Sequence, residues 1–447
     1  MGTITIEDVM TATQGKIISR GQEIFTGLSI DSRTIQEGAL FIALRGKNFD
    51  GHDYLEKALE RGNGAVAERD HQSTVRGKTL IHVEDTLKAL QDIAHHMRRK
   101  RDIPVVAITG SNGKTTTKEL TAAVLGTEHR ILKNTGNLNN QIGLPLSLAE
   151  ISDAEEMIVL EMGASAPGDI LELCAIAAPG IGVLTNINYT HLESFRDLET
   201  IRRTKLEILG SVHTVVVNAD DLFLMEGLNQ SGYRGRVIRY GIQQEAEVRA
   251  VDIQLYDTGA RFQILFRGKE LLRINPKISG VFNIYNILAA ASVGDLLNIA
   301  LSHIRDGIES FPGVPMRLQL REMNGILIIS DVYNANPASM EAALRELVRI
   351  KKGRTIAVLG DMLELGTYAE EAHRKIGRLL SELSVDVFIA VGPLMSFAVS
   401  EYTGDVLTAA KPEDAGNLLK GIGKVGDTVL VKGSRGMRME RVLADGS

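Results

Sequence analysis

The chain has 447 residues, of which 44% are hydrophobic and 24% are charged, as in ordinary soluble globular proteins. This length is too great for a single hydrophobic core and predicts two or three domains. A net charge of −6 and an aromatic content of 4% argue against nucleic-acid binding, and no apolar run is long enough to predict a membrane span.

The single cysteine, Cys174, excludes an internal disulfide framework and is typical of a protein in a reducing compartment. Its surroundings, ILELCAIAAPG, favour a packed core position over a reactive thiol. The N-terminal residues lack an apolar run behind a basic flank, which argues against a signal peptide. We therefore expect a cytoplasmic protein.

Residues 1–102 are predicted to form a first, mixed α/β domain. The segments GALFIAL and TLIHVED have the length and composition of strands. The stretch TLKALQDIAHHMRRKRD is predicted to be a helix that ends in a basic cluster, residues 98–101. Because cations suit a helix C-terminus, we interpret this cluster as a solvated helix end and not as a binding patch.

Residues 103–312 are predicted to form a second domain on a parallel sheet. The apolar runs IPVVAITG, EEMIVLEMG and GIGVLTNI end in polar residues, and a helix-like stretch follows the first run. Buried strands that alternate with helices indicate a parallel sheet covered on both faces. Ligands of such sheets bind beyond the carboxyl ends of the strands, here residues 109–115, Glu161 and 185–191.

Residues 313–447 are predicted to form a smaller α/β unit. Two prolines and a glycine in ESFPGVPMRLQL predict a boundary near residue 312. Four apolar strands that end in polar residues or glycine follow it, in GILIISDVYNANP, RTIAVLGDMLELG, VDVFIAVGP and GDTVLVKGSRG.

The segment VVAITGSNGKTTTKEL resembles a phosphate-binding loop, but it is shorter than the usual G-x-x-x-x-G-K-[ST]. Its backbone N–H groups can surround phosphate oxygens at the start of a helix. Lys114 can reach the terminal phosphates, and the Thr115 hydroxyl can ligate Mg²⁺. The flanking strand and helix favour nucleotide binding over a simple glycine turn. The predicted nucleotide-binding residues of the loop are Gly110, Ser111, Asn112, Gly113, Lys114, Thr115 and Thr116.

Three side chains follow or lie near the predicted strand ends, and each has an ordinary alternative. Glu161 ends a buried strand, where its carboxylate would need a magnesium ion or a salt bridge. His191 is a metal ligand or a hydrogen-bonded loop residue. Lys205, taken alone, is typical of a lysine on a helix surface.

Taken together, these features resemble the Mur ligases, the ATP-dependent amide-forming enzymes of peptidoglycan assembly. The family carries the short loop G-x-x-G-K-[ST], here residues 110–115, with a strand-end glutamate, a histidine and a lysine that CO₂ converts to a carbamate. The resemblance implies ATP and two Mg²⁺ ions as cofactors. It implies Lys114, Glu161, His191 and Lys205 as catalytic residues, with Thr115, Glu161, His191 and the carbamylated Lys205 as metal ligands.

Further motifs resemble the family members that join D-alanyl-D-alanine to UDP-N-acetylmuramoyl-tripeptide through an acyl phosphate. They are NTGNLNNQIGLPLSL, DVYNANPASMEAAL, VLGDMLELG and VKGSRGMRMERV, and SIDSRTIQEGALFIALRG before DGH resembles the family's uridine-nucleotide-binding domain. The implied fold has three domains: an N-terminal mixed α/β uridine-nucleotide-binding domain, a central ATPase domain with a parallel sheet and a P-loop, and a C-terminal Rossmann-like α/β domain.

The resemblance also implies contacts beyond the loop. Nucleotide contacts are implied for Asn283, Asn286, Arg317 and Asp331. Substrate contacts are implied for Asp31, Ser32, Arg33, Asn137, Asn140, Asn334, Asn336, Ser339, Lys432, Ser434 and Arg435. The segment KGSRGMRME can equally be a solvated strand-to-helix loop. Phe282 departs from the family pattern G-x-H-N-x-x-N, because the segment here is GVFNIYN.

Two rival functions remain open on the sequence alone. Folylpolyglutamate synthesis uses the same fold and also activates a carboxylate, but its enzymes lack the YNANP string and the N-terminal motif. A nucleotide-dependent switch would give Glu161, His191 and Lys205 no shared purpose. The third residue of the tripeptide, meso-diaminopimelate or lysine, is not encoded in any motif, and a monomer is our default expectation.

Overall fold

The computed structural model describes residues 2–68 and 76–444. They form three main sheets in succession along the chain, with helices packed on them, and the predicted α/β fold class is confirmed. The predicted first and third domains also include residues 1, 69–75 and 445–447, which lie outside the described residues. None of the helices in the described part combines the length and apolar character that crossing a bilayer requires.

The N-terminal part contains a small mixed sheet. The strands of the N-terminal part are β1 (Ile4–Thr5), β2 (Lys16–Ser19), β3 (Ile24–Phe25), β4 (Leu28–Ser29), β5 (Leu40–Ile42), β6 (Gly64–Ala67) and β7 (Thr79–His82). Its helices are α1 (Ile6–Thr13), α2 (Leu55–Leu59), α3 (Thr86–Arg99) and a 3-10 helix at Gly51–Tyr54. The sheet order is β2-β7-β6-β5-β4, and β1 pairs with β3 separately. The two predicted strands are β5 and β7, and the predicted helix is α3.

Helix α3 fastens the N-terminal part to the central part. Gln91 donates a 2.7 Å hydrogen bond to the Glu172 carboxylate, and Arg98 Nε donates a 3.1 Å bond to the carbonyl of Ala177. The prediction of a solvated helix end is therefore wrong for Arg98, which is buried. The last turn of α3 packs against the central part, and the Arg98 guanidinium donates hydrogen bonds to backbone carbonyls there.

The central part contains a nine-stranded sheet. Its strands are β8 (Val105–Thr109), β9 (Ile131–Lys133), β10 (Met157–Glu161), β11 (Ile181–Leu184), β12 (Thr214–Asn218), β13 (Arg236–Gly241), β14 (Val248–Tyr256), β15 (Gly259–Phe266) and β16 (Glu270–Ile274). Its helices are α4 (Lys114–Leu125), α5 (Gly143–Leu148), α6 (Asp169–Ala177), α7 (Leu192–Phe195), α8 (Leu198–Leu206), α9 (Leu222–Gln230), α10 (Val281–Leu296), α11 (Leu301–Ser310) and a 3-10 helix at Glu207–Gly210.

The strand order of this sheet places the ends of three predicted strands side by side. The order is β16-β15-β14-β13-β12-β11-β8-β10-β9, so β8 lies between β10 and β11 and runs parallel to both. All three strands are buried along their length, which explains their uninterrupted apolar runs. The antiparallel extension β14–β16 was not predicted.

The C-terminal part contains a six-stranded sheet. Its strands are β17 (Gln319–Met323), β18 (Ile326–Asp331), β19 (Thr355–Gly360), β20 (Val387–Val391), β21 (Asp405–Ala409) and β22 (Thr428–Lys432). Its helices are α12 (Pro337–Arg349), α13 (Ala369–Glu382), α14 (Met395–Val399), α15 (Pro412–Ile422) and 3-10 helices at Gly366–Tyr368, Arg435–Met437 and Met439–Leu443. The order is β17-β18-β22-β19-β20-β21, and only the edge strand β17 runs antiparallel to its neighbour.

The hydrophobic cores do not divide in the same way as the sheets. One buried cluster runs without a break from Ile4 in the N-terminal part to Leu228 in the central part. The other face of the central sheet has a core of its own. The two faces of the C-terminal sheet are covered by two further clusters, which contain only C-terminal residues.

Candidate active site

A cavity of about 1050 Å³ lies where the central and C-terminal parts meet. The predicted residues that line it are Gly110, Ser111, Asn112, Gly113, Lys114, Thr115, Thr116, Asn137, Asn140, Glu161, His191, Lys205, Asn283, Asn286, Arg317, Asp331, Asn334, Asn336, Ser339 and Lys432. Phe282 also lines it, whereas Asp31, Ser32, Arg33, Ser434 and Arg435 are not part of this lining. The fold thus gathers residues from nine separate segments of the sequence.

The loop between β8 and α4 has the backbone that a phosphate-binding loop needs. Gly110 and Gly113 adopt φ of 141° and 80°, which favour glycine. A Cβ at Gly110 would lie 2.0 Å from Thr185 Oγ1, and one at Gly113 would lie 2.4 Å from Asn286 Oδ1. No side chain caps the start of α4, so its first N–H groups are available to an anion.

The loop is held in place by the segment after β11. The amide of Ser111 donates to the carbonyl of Asn186 at 2.8 Å, and the amide of Asn112 donates to Asn186 Oδ1 at 2.9 Å. Ser111 Oγ accepts from the amide of Asn188 at 2.8 Å. Asn186 and Asn188 are site residues that were not predicted, although both lie in the inspected range 185–191.

Lys114 turns back over its own loop. Its Nζ donates to the carbonyls of Gly110 at 2.9 Å and Ser111 at 3.0 Å. Burial lowers the pKa of Lys114, and the nearby Arg317 acts in the same direction while Glu161 opposes it. The ammonium group therefore lies in a poorly solvated place where an anionic ligand would stabilise its charge.

Glu161, at the end of β10, is 4% exposed and is held by neutral donors. The Thr115 hydroxyl donates to its Oε2 at 2.8 Å, and Asn139 Nδ2 donates to its Oε1 at 2.8 Å. Asn134 fixes the backbone of Glu161 by bonds to both its N–H and its carbonyl. In the described part of the chain Glu161 forms no ion pair, so the salt-bridge alternative is not observed.

Lys205, on α8, is 2% exposed and so is not a surface lysine. Burial, together with the positive charge of Lys114, lowers its pKa to about 7, and Asp169 and Glu207 oppose the shift. Its Nζ lies 5.7 Å from the centre of the Phe195 ring. Near neutral pH a large fraction of this amine is therefore unprotonated and nucleophilic.

His191 reaches the cavity from the loop before α7. Its Nδ1 lies 2.6 Å from Oε2 of Glu364, which belongs to the C-terminal part. Burial lowers the pKa of the imidazole, whereas Glu364 raises it. Glu364 was not predicted as a site residue, although the motif VLGDMLELG contains it. Within residues 2–68 and 76–444, no three His, Cys, Asp or Glu side chains are grouped so that they alone could hold a metal ion.

The C-terminal part contributes polar contacts to the loop itself. Arg317 Nη2 donates to Thr115 Oγ1 at 3.0 Å, and its guanidinium stacks on Tyr333 at 4.1 Å from the ring centre. Asn336 Nδ2 donates to Asn112 Oδ1 at 2.6 Å. These two bonds join the phosphate-binding loop to a different domain.

Two other predicted C-terminal residues are paired with each other. Lys432 Nζ donates to Asp331 Oδ2 at 2.5 Å and to the carbonyl of Asn334 at 2.9 Å. Lys432 is buried, and the carboxylate of Asp331 compensates the charge that its ammonium group carries there. Ser434 accepts the amide of Leu363 at 2.8 Å and thus supports the neighbouring loop.

The segment GVFNIYN forms the start of α10 behind the phosphate-binding loop. Asn286 Oδ1 accepts from the Thr117 hydroxyl at 3.1 Å, and its Nδ2 donates to Asn283 Oδ1 at 3.0 Å. Both asparagines are buried. The ring of Phe282 folds over Gly280, where a Cβ would lie 2.5 Å from it.

The predicted uridine-end residues lie in the N-terminal part. Arg33 donates through its side chain to both carboxylate oxygens of Asp31, and its amide donates to Oδ1 at 2.9 Å. These bonds lower the pKa of Asp31 to about 2. Ser32, between them, is buried.

Cys174 is expected to resist alkylation in the folded protein. Its side chain is 1% exposed, its sulfur lies 3.8 Å from Met162 Sδ, and burial raises the pKa of the thiol to about 12. Iodoacetamide at pH 8 should leave the native protein unlabelled and label it fully in urea, as measured by intact-mass spectrometry. Rapid labelling of the native protein would contradict this structure of α6.

The sequence matches three family models, each over a different part of the chain. They are the Mur ligase family catalytic domain over residues 24–98, the Mur ligase middle domain over residues 108–294, and the Mur ligase glutamate ligase domain over residues 316–435. The chain is also 36% identical to the UDP-N-acetylmuramoyl-tripeptide–D-alanyl-D-alanine ligase of Bacillus subtilis, over 99% of this chain and 98% of the relative.

The chain belongs to the Mur ligase family.

Solved structures agree with this assignment. The fold of this Mur ligase superposes on a crystal structure of MurF from Acinetobacter baumannii with a TM-score of 0.93 and 30% identity, covering 100% of this chain and 99% of the other. It superposes on MurF ligase from Thermotoga maritima in complex with ADP with a TM-score of 0.84 and 31% identity, covering 95% and 96% of the two chains. The three-domain fold implied by the sequence motifs is therefore confirmed.

Proposed function

We propose that this Mur ligase uses ATP to join D-alanyl-D-alanine to UDP-N-acetylmuramoyl-tripeptide, as a monomer and in the cytoplasm. The observation that carries the proposal is that a phosphate-binding loop, the Thr115–Glu161 pair and the buried Lys205 meet in one cavity between two domains. The names of the relatives supply the identity of the two substrates. The product is a precursor for peptidoglycan synthesis.

The reaction must activate a carboxylate before an amine can attack it. An oxygen of the tripeptide's terminal carboxylate attacks the γ-phosphorus of ATP, the bond to the bridging oxygen breaks, and ADP leaves. The amine of the dipeptide then attacks the acyl phosphate carbon, inorganic phosphate leaves, and the amine loses a proton. Lys114 and Arg317 supply positive charge where two anions must meet.

The residues at the loop fit a magnesium site. The Thr115 hydroxyl and the Glu161 carboxylate lie 2.8 Å apart, and Mg²⁺ prefers oxygen ligands. The buried carboxylate of Glu161 is held only by neutral donors, so a bound cation would compensate its charge. His191 and a carbamate on Lys205 would supply ligands for a second ion. Bound magnesium would offset the negative charge on the phosphates.

A carbamate on Lys205 is consistent with its surroundings. Only the neutral amine can attack CO₂, and burial holds the pKa of Lys205 near 7. The carbamate is an anion, and the nearby Lys114 would stabilise it. Lys205 would thus enter the reaction as a negatively charged ligand.

The three domains divide the substrates in this proposal, with boundaries at 1–102, 103–312 and 313–447. The first holds the uridine diphosphate end near Asp31, Ser32 and Arg33. The second holds the phosphates of ATP. The third brings Arg317 and Asp331 to the nucleotide, and Asn334, Asn336 and Ser339 towards the dipeptide.

The test is phosphate release measured with each reactant omitted in turn. We expect release only when ATP, Mg²⁺, the UDP-linked tripeptide and D-alanyl-D-alanine are all present, with the pentapeptide product identified by mass spectrometry. L-alanyl-L-alanine, and folate with glutamate, serve as control substrates. Equal release without the dipeptide would support a nucleotide switch, and release with folate and glutamate alone would support folylpolyglutamate synthesis.

A further inference from the structure

Two loops meet across the boundary between the central and C-terminal domains, and we name this contact the 189–368 seam. Glu364 Oε2 lies 2.6 Å from His191 Nδ1, and the carbonyl of Glu364 accepts the amide of Glu193 at 3.2 Å. The rings of Tyr189 and Tyr368 pack beside them with centres 5.1 Å apart. The two loops are therefore joined by a charged side-chain contact, a backbone hydrogen bond and a pair of aromatic rings.

The backbone on both sides of the seam is held in an unusual conformation. His191 and Glu364 have φ of 51° and 63°, in the left-handed region that favours glycine. A non-glycine residue in this region costs on the order of 1 kcal/mol. Here both positions carry side chains that meet each other. Two residues in strained conformations thus meet across the domain boundary.

We propose that Glu364 is a positioning residue that orients the imidazole of His191 from the opposite domain. The carboxylate faces Nδ1 and favours the tautomer in which Nδ1 carries the hydrogen, so the lone pair lies on Nε2. His191 also lines the cavity, where the proposed function uses it as a metal ligand. The inference rests on that function for its effect on rate, but the contact itself does not.

The consequence is that the active site depends on how the two domains meet. His191 belongs to the central domain, whereas the group that orients its ring belongs to the C-terminal domain. The ring is held in the working tautomer only while the seam is closed. Glu364, which also lines the cavity, thus connects domain arrangement to the chemistry through the His191 ring.

Removing the Glu364 side chain should leave the domains joined. Arg317 still bonds Thr115, and Asn336 still bonds Asn112. At another place along the domain boundary, Ser279 Oγ of the central domain donates to Glu346 Oε1 of the C-terminal domain at 2.6 Å. A change in Glu364→Ala can therefore be assigned to His191 and not to loss of the whole interface.

The experiment compares Glu364→Ala, Glu364→Gln and a control, Glu371→Ala. Glu371 is 49% exposed on α13, pairs with Arg378 at 2.8 Å and does not line the cavity. The first readout is the ¹⁵N spectrum of the imidazoles at pH 8 without magnesium, with the His191 signals assigned from His191→Gln. We expect the Nδ1–H tautomer in the wild type, in Glu364→Gln and in the control, and a shift towards Nε2–H in Glu364→Ala.

The second readout is steady-state phosphate release. Loss of a group that orients a metal-binding histidine typically costs about 10- to 100-fold. We expect Glu364→Ala to lower kcat by about that factor and to raise the magnesium concentration for half-activation, with KM for both peptide substrates little changed. Glu364→Gln keeps an acceptor for Nδ1–H and should retain most of the rate.

The proposal is overturned if Glu364→Ala keeps the wild-type tautomer, or if its kcat and magnesium dependence match those of Glu371→Ala. A Glu364→Gln variant as slow as Glu364→Ala would also overturn it, because the acceptor is retained. A wild-type protein that released no phosphate with both peptide substrates would refute the proposed function instead. In that case the tautomer would still decide whether Glu364 orients His191.

Discussion

Replacing Lys114 by methionine is expected to lower phosphate release on the order of 1000-fold, the scale on which loss of a charge-stabilising group acts in phosphoryl and acyl transfer. The Nζ group lies at the carbonyls of Gly110 and Ser111 and can turn from them to the terminal phosphates. During the transfer an anionic carboxylate approaches an anionic phosphate. Without Lys114, much of the positive charge that offsets their repulsion is lost.

The same substitution should not unfold the protein. Burial lowers the pKa of Lys114, which means that the folded state already disfavours its charge. A methionine of similar length removes that cost and two hydrogen bonds to carbonyls. We therefore expect the melting temperature of Lys114→Met to stay close to that of the wild type.

Lys88→Met is the matched control, because Lys88 is 64% exposed on α3 and forms a surface ion pair with Asp92. Its rate should equal that of the wild type. If Lys114→Met kept a tenth or more of the wild-type rate while remaining folded, Lys114 would not serve the transferred phosphate.

Replacing Lys205 by methionine is expected to have an effect of similar size, again on the order of 1000-fold, if Lys205 works as a carbamate ligand. The wild type should also lose activity when CO₂ is removed and regain it when bicarbonate is added. Lys205→Met should respond to neither treatment. A variant with the full rate would exclude the modified-lysine role.

The regain of activity should depend on pH in a specific direction. Because burial holds the pKa of Lys205 near 7, the neutral amine that attacks CO₂ increases from pH 6 to about pH 8 and then levels off. An exposed lysine, with a pKa near 10.5, would still be almost fully protonated at pH 8. Reactivation followed at pH 6, 7 and 8 at one fixed concentration of dissolved CO₂ measures this difference.

The pH dependence of protein stability tests the burial of Lys205 independently of activity. The unmodified lysine has a lower pKa in the folded chain than in the unfolded chain, so its charge destabilises the fold. This penalty is complete below about pH 7 and is relieved as the pH rises towards 10.5. In CO₂-free buffer, Lys205→Met should therefore gain most in melting temperature over the wild type at pH 6 and less at pH 9. An equal difference at both values would mean that Lys205 is not buried as a cation.

The strands that position the site could be predicted because burial leaves a simple pattern. The strands β8, β10 and β11 lie inside a covered parallel sheet, so each is an uninterrupted apolar run with polar residues at its end. The strand β14 has alternating burial and begins the antiparallel extension that ends at the edge strand β16. Its pattern carries no signal of which strand it joins, and it was missed.

Side-chain partners were harder to predict than strands. Asn137 and Asn140 are the predicted residues of an asparagine-rich loop, but Asn139 is the one that contacts Glu161. The path of the loop decides which of these three asparagines contacts the Glu161 carboxylate, and no sequence periodicity specifies that path. The contact between Glu364 and His191 depends further on how two domains pack, which no local pattern encodes.

The continuous core between the N-terminal and central parts has a consequence for how the chain folds. The cluster that begins at Ile4 and ends at Leu228 is shared by the two parts, so separating them would expose it, although each part also has a further core of its own. The N-terminal and central parts should therefore fold as one cooperative unit. A chain that lacks its first hundred residues would expose an apolar face to the solvent and would be prone to aggregation. The C-terminal sheet has a core on each face, and among the described residues both of these cores consist of C-terminal residues alone.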